Sequence, residues 1–127
     1  MFQPQPSRSR FQSFRHAFSG LWYVLRTQRN AWIHATITVA VFLLGSWVGL
    51  DRYDWTLITI AICFVWLAEI INTALEAITD LASPEQHPLA KVGKDVGAGA
   101  VLLASITAII LGMLILFPRL LDKLNTK

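Results

Sequence analysis

Charge is scarce in this chain. Of its 127 residues, 15 % are Asp, Glu, Lys or Arg and 54 % are apolar. A soluble domain of this size carries about a quarter charged residues. The shortage excludes a disordered tail and a basic nucleic-acid-binding domain, so no nucleic-acid partner is expected. Cysteine is nearly absent: Cys63 stands alone and excludes an intrachain disulfide framework. The chain also lacks a G-x-x-x-x-G-K-[ST] loop, which excludes a P-loop nucleotide site by motif.

What the chain has instead is long uncharged runs. Asn30 to Leu50 gives 21 residues without a formal charge, and Val96 to Pro118 gives 23. Trp55 to Ala68 gives 14, and the apolar pattern continues to Ala82 if Glu69, Glu76 and Asp80 are tolerated. About 20 apolar residues cross a bilayer as a helix. The backbone must satisfy its own hydrogen bonds there, so helices are the expected form. The pattern predicts an all-α membrane protein with transmembrane helices at 31–50, 55–80 and 97–117. The first apolar run begins some 30 residues in, which does not fit a signal peptide.

Ahead of the first span, Phe11, Phe14, Phe18, Leu21, Trp22 and Leu25 recur at helical spacing, with Arg8, Arg15, Ser19 and Arg26 largely off that stripe. Residues 8–29 therefore read as a basic amphipathic helix lying flat in the interface. Arg8, Arg10, Arg15, Arg26 and Arg29 precede span one, and Lys91 and Lys94 follow span two. The positive-inside rule then expects the N-terminus and the second loop in the cytoplasm. The C-terminus, with Arg119, Lys123 and Lys127, is expected outside. Asp51–Asp54 is short enough to make the first two spans an antiparallel hairpin. Pro84 and Pro88 stop the second span, and a further helix is expected from about Leu89.

Acidic side chains are placed where they cost most. Of the eight, Glu69, Glu76, Asp80, Glu85 and Asp95 fall between positions 69 and 95. Glu69, Asn72, Thr73, Glu76 and Asp80 share one face of a helix at 3.6 residues per turn. A charge at bilayer depth costs on the order of 3 kcal/mol by insertion scales, so such residues mark functional sites by default. Asp80 is expected nearest the cytoplasm, with Glu69 about 10 Å deeper than Glu76. Such a gradient suits a site that joins a water-soluble reactant to a lipid. The structural alternative is a helix-packing cluster, with the carboxylates protonated or paired to Lys91 or Lys94. Two functional rivals also stand: a proton- or cation-coupled transport subunit using Glu69, and a non-catalytic assembly protein.

Ala68-Glu69-Ile70-Ile71-Asn72-Thr73-Ala74-Leu75-Glu76-Ala77-Ile78-Thr79-Asp80, with Ser83-Pro84-Glu85-Gln86-His87-Pro88-Leu89-Ala90-Lys91-Val92-Gly93-Lys94-Asp95, resembles the signature of the bacterial diacylglycerol kinase family. The resemblance covers about residues 11–117. The two prolines and Arg29-Asn30 with Ile33-His34 resemble the undecaprenol kinase branch more closely. It implies one integral-membrane lipid kinase domain over 1–127, in a homotrimer with active sites shared between protomers, in the inner or plasma membrane of a bacterium. The implied reaction moves the γ-phosphate of ATP, with Mg²⁺, onto a lipid alcohol: undecaprenol first, diacylglycerol second.

By the same resemblance, Glu69 is the general base beside the lipid hydroxyl, and Asn72 and Ala98 join it at the lipid. Glu76 holds Mg²⁺ and through it ATP. Glu85, Gln86, His87, Lys94 and Asp95 line the nucleotide, and His16 stands where relatives have an N-terminal contact. Gln28 occupies the position of a second metal-binding Glu; it keeps a carbonyl oxygen without the charge, so the second Mg²⁺ site is expected to be weaker. The residue types themselves suit phosphoryl transfer, which needs positioning, hard oxygen ligands and charge neutralisation.

Other features read as structural. Ala100, Ala104, Ala108 and Gly112 form a small-residue stripe for close helix contact, and Gly45-x-x-x-Gly49 is expected to be a packing notch. Gly93 and Gly97 read as packing glycines at least as well as phosphate-approach glycines. Trp22, Trp47, Tyr53 and Trp55 are expected as interfacial anchors. His34 has no partner at metal-ligand spacing and reads as a surface or packing histidine; Trp66 and Met113 read as packing residues.

Overall fold

The turn around Asp51 organises the hairpin. A computed structural model describes residues 10–83 and 87–125. It contains α1 (Arg10–Thr27), α2 (Arg29–Val48), α3 (Arg52–Ala82) and α4 (Pro88–Asn125). Between α2 and α3, Gly49 takes φ 80° and returns its N–H to Gly45, a left-handed cap that a side chain would strain. Asp51 then caps α3, its carboxylate accepting from the N–H groups of Tyr53 and Asp54 at 2.8 and 3.0 Å. Asp54 answers by accepting from the Asp51 N–H, completing a capping box. The expected notch thus divides: Gly49 caps a helix, while Gly45 is the packing residue. A Cβ on Gly45 would lie 2.8 Å from Leu50 and 2.9 Å from Trp55.

Arg119 of α4 reaches the same turn, at 2.6 Å from Asp51 and 2.7 Å from Asp54. At the other end Lys94 of α4 meets Asp80 of α3 at 2.5 Å. These two pins fix α4 antiparallel to α3 along most of its length. Both helices outrun the expected spans. At a rise of 1.5 Å per residue, the 31 residues of α3 and 38 of α4 make rods of about 46 and 57 Å, against a hydrocarbon core near 30 Å. Helical hydrogen bonding continues past the apolar run into the charged segments, and α4 continues through Pro118.

The first helix is also shorter at its end than expected. Gln28 is not helical: it sits at φ −101°, ψ 117°, as the break between α1 and α2. Of the expected range, residues 8 and 9 lie outside the described residues. Phe11, Phe14 and Phe18 are exposed, and Val24 is the buried residue of α1.

The distribution of polarity is inverted relative to a soluble bundle. Among the described residues thirty-five large apolar side chains are exposed, while the buried polar ones are Glu69, Asn72 and Thr73, and Glu69 is the one large side chain that is fully buried. An outward apolar surface around an inward polar cluster suits lipid as solvent. α2, α3 and α4 are each long and apolar enough to cross a membrane. An apolar cluster of Val48, Leu50 and Ile58 closes the turn end, joined by Leu44, Trp55 and Leu120. There Trp55 stacks on Phe42 at 5.3 Å, so it packs between helices as well as lying near a span end. Ala100, Ala104 and Ala108 lie on the side of α4 that runs beside α3. They line an apolar groove of about 560 Å³ along it, and Gly112 lines a second, of about 550 Å³, between α2, α3 and α4.

Candidate active site

The hairpin geometry assembles the site. His34 lies 17 residues before Asp51 and Glu69 lies 18 after it; Gln28 and Glu76 lie 23 before and 25 after. Helices of equal rise leaving a tight turn bring such positions to the same level. Accordingly Gln28 Nε2 donates to Glu76 Oε2 at 3.1 Å. Trp66 Nε1 donates to Thr38 Oγ1 at 3.3 Å, one turn below His34 on α2.

Glu76 is held from two sides. Asn72 Nδ2, one turn away on the same helix, donates to its Oε1 at 3.0 Å. The amide oxygen of Asn72 is buried and has no hydrogen-bond partner. It points at Gly97 on α4, where a Cβ would lie 2.3 Å away. The glycine therefore makes room for the Asn72 amide. Ala98, expected at the lipid, is exposed on the outer side of α4; one residue along a helix turns through about 100°, so its neighbour Gly97 faces inward.

Glu69 lies two turns deeper. Its side chain is 0 % exposed, and neither carboxylate oxygen has a hydrogen-bond partner. The nearest charge-capable group is His34, with Nε2 3.6 Å from Glu69 Oε2 and its side chain 12 % exposed. That separation exceeds hydrogen-bond length. Trp66 meets the His34 ring edge-on at 6.4 Å. His34 is thus neither a surface residue nor plain packing. Thr73 is buried with the polar stripe, but its hydroxyl is spent on the Glu69 backbone carbonyl at 2.8 Å, an internal helix bond.

The outer residues divide differently from their order in sequence. Lys94 pairs with Asp80, while Asp95 pairs with Lys91 at 2.5 Å. Lys94 and Asp95 are neighbours in sequence but not partners, because successive helical residues face different ways. His87 is exposed and its Nδ1 accepts from the Leu89 N–H at 3.2 Å, capping the start of α4. His16 is exposed on α1. Glu85 and Gln86 lie outside the described residues.

Lysine pairing, one form of the packing alternative, fits the surface carboxylates: among the described residues Asp80 and Asp95 have lysine partners, whereas Glu69 and Glu76 do not. Among the described residues no group of three His, Cys, Asp or Glu could hold a metal ion. The Glu76 carboxylate nonetheless suits a hard cation shared with a phosphate chain: Mg²⁺ usually takes one or two carboxylates plus phosphate oxygens, and Gln28, whose Nε2 donates to Glu76, carries an oxygen on the same amide group.

Known sequences decide the family. The profile described as prokaryotic diacylglycerol kinase matches residues 15–116. The chain belongs to the prokaryotic diacylglycerol kinase family. It is accordingly a membrane lipid kinase, a phosphotransferase. An undecaprenol kinase of Bacillus subtilis is 41 % identical over 87 % of this chain and 89 % of its own length. A diacylglycerol kinase of Synechocystis is 44 % identical over 87 % of this chain, which takes in 63 % of that protein. A diacylglycerol kinase of Escherichia coli is 32 % identical over 84 % and 93 %.

Proposed function

We infer that the protein phosphorylates a membrane lipid alcohol, with undecaprenol the first choice and diacylglycerol the second, using ATP and Mg²⁺. The observation that carries the reading is Glu69. A carboxylate that is fully buried with both oxygens unpartnered has no structural return for its desolvation. A substrate hydroxyl donating to it would supply the missing partner. As the alcohol oxygen bonds to the γ-phosphorus, its proton passes to Glu69, and the bond to the oxygen bridging to ADP breaks.

Glu76 stands about 10 Å nearer the charged end of α3, the side from which a nucleotide would come. Glu76, with Gln28, would hold Mg²⁺, which when bound neutralises phosphate charge. Lys94 offers a point charge for phosphate oxygens, and Asp95 orders Lys91 beside it. Asn72 positions Glu76. His16, Glu85, Gln86 and His87 complete the nucleotide side in this reading, and Ala98 joins Glu69 and Asn72 at the lipid.

The lipid choice follows the 41 % identity to a protein named undecaprenol kinase, while relatives named diacylglycerol kinase keep the second acceptor in view. We further propose one kinase domain over 1–127, spanning a bacterial plasma membrane at 31–50, 55–80 and 97–117. α1 lies in the inner interface, the N-terminus is cytoplasmic, and three copies share their sites. The Arg119 pair with Asp51 and Asp54 supports this topology, because the outer basic charge is met by two carboxylates.

Purified protein in one detergent, given γ-labelled ATP, Mg²⁺ and either undecaprenol or diacylglycerol, tests the function. Labelled undecaprenyl phosphate forming faster than phosphatidic acid is expected. No label in either lipid would refute the kinase reading, and faster phosphatidic acid would reverse the order of acceptors.

A further inference from the structure

His34 has no role in the reading above. It sits on α2, one helix away from the acidic stripe, yet it approaches Glu69 more closely than any cation does. Its Nε2 lies 3.6 Å from Glu69 Oε2, and neither that nitrogen nor either carboxylate oxygen has a hydrogen-bond partner. These three atoms, with Asn72 Oδ1, are the buried side-chain polar atoms without partners among the described residues. The ring is placed from behind by Trp66, which is itself tied to Thr38. On its open side His34 lines the apolar groove between α2, α3 and α4. His34 thus borders the groove, with Glu69 buried directly behind it.

An alcohol hydroxyl fits this pair better than the two fit each other. It has one proton to donate and two lone pairs to offer. Given to Glu69, the proton satisfies a carboxylate oxygen. One lone pair accepts from His34 Nε2–H, and the second stays free to attack phosphorus. We propose that His34 is an acceptor-binding residue that orients the alcohol oxygen against Glu69 through a hydrogen bond from Nε2. This rests on the lipid kinase reading and adds a residue to its acceptor side. Glu69 takes the proton; His34 stays protonated on Nε2 throughout and transfers nothing.

The test compares the wild-type chain with His34→Leu and His34→Gln in mixed micelles, varying undecaprenol and ATP separately. Gln keeps an N–H donor of similar reach, whereas Leu fills the space without one. In His34→Leu, kcat/KM for the alcohol is expected to fall at least tenfold, with KM for ATP within twofold of wild type. His34→Gln is expected to recover most of the loss. A packing role would not separate the two substrates, nor favour Gln over Leu. An alcohol kcat/KM within twofold of wild type in His34→Leu would overturn the proposal, as would His34→Gln performing no better than a folded His34→Leu. If His34→Leu fails to fold, His34→Gln decides alone: an alcohol kcat/KM more than tenfold below wild type overturns the proposal. Loss of Glu69-dependent transfer in the wild type itself would instead bring down the kinase reading beneath it.

Discussion

Gly97 and Asn72 occupy one space between α3 and α4. The Asn72 amide oxygen stands where a Cβ on Gly97 would be only 2.3 Å away, and its amide nitrogen holds Glu76 at 3.0 Å. Gly97→Ala must therefore push the amide aside. Overpacking of this kind costs about 1–3 kcal/mol. Helix propensity is improved by the same change, so the net stability effect is expected to be small. Activity should fall by roughly tenfold or more as Glu76 loses its Asn72 bond, about 1.4 kcal/mol. Thermal unfolding and initial rates on the same preparation separate the two effects.

Glu76 and Gln28 give a test of the metal assignment. Gln28→Glu places a second carboxylate beside Glu76, at a side chain now 3.1 Å away. Without a cation the two charges repel. With Mg²⁺ they share it. The variant is expected to unfold more easily than wild type in EDTA and to regain stability in Mg²⁺. Its half-saturating Mg²⁺ concentration should drop several-fold. An unchanged Mg²⁺ response would count against Glu76 as a ligand.

Asp51 predicts an acid limit at the opposite end of the molecule. The Asp54 N–H hydrogen bond, with Tyr53 N–H and Arg119, holds its carboxyl below the ordinary carboxylate range. Its folded pKa is thus lower than its unfolded one. The stability it contributes is present above the unfolded value and lost as pH falls through the folded value. Wild type should lose thermal stability as pH drops below about 4. Asp51→Asn, still able to cap but never charged, should start lower and lose less over that window.

Gly49→Ala tests the turn that sets the register. At φ 80° an Ala pays about 1–2 kcal/mol for the left-handed conformation. A lower unfolding midpoint is expected, with alcohol and ATP KM values unchanged, because the site lies far along the hairpin.

Much of this was legible without coordinates. Uncharged runs named the three spanning helices, and the period of 3.6 put Glu69, Asn72 and Glu76 on one face. The Asp51 turn also carried information that the sequence reading left unused. Equal distances from it put His34 opposite Glu69 and Gln28 opposite Glu76. The rest depended on three-dimensional detail that spacing does not carry. Thr73 bonding to its own helix, the Asn72 amide seated against Gly97, and the exchange of partners among Asp80, Lys91, Lys94 and Asp95 are set by side-chain direction. The helices run beyond the apolar spans because apolarity marks where lipid is, whereas hydrogen bonding decides where a helix ends.

The central claim is that Glu69 takes the alcohol proton. Single-turnover transfer from γ-labelled ATP to undecaprenol, wild type against Glu69→Gln, measures it most directly. Gln nearly conserves shape but is no base, so transfer should slow by about 10²- to 10⁴-fold, the usual share of a general base, with ATP binding intact. Transfer within threefold of wild type would contradict the account.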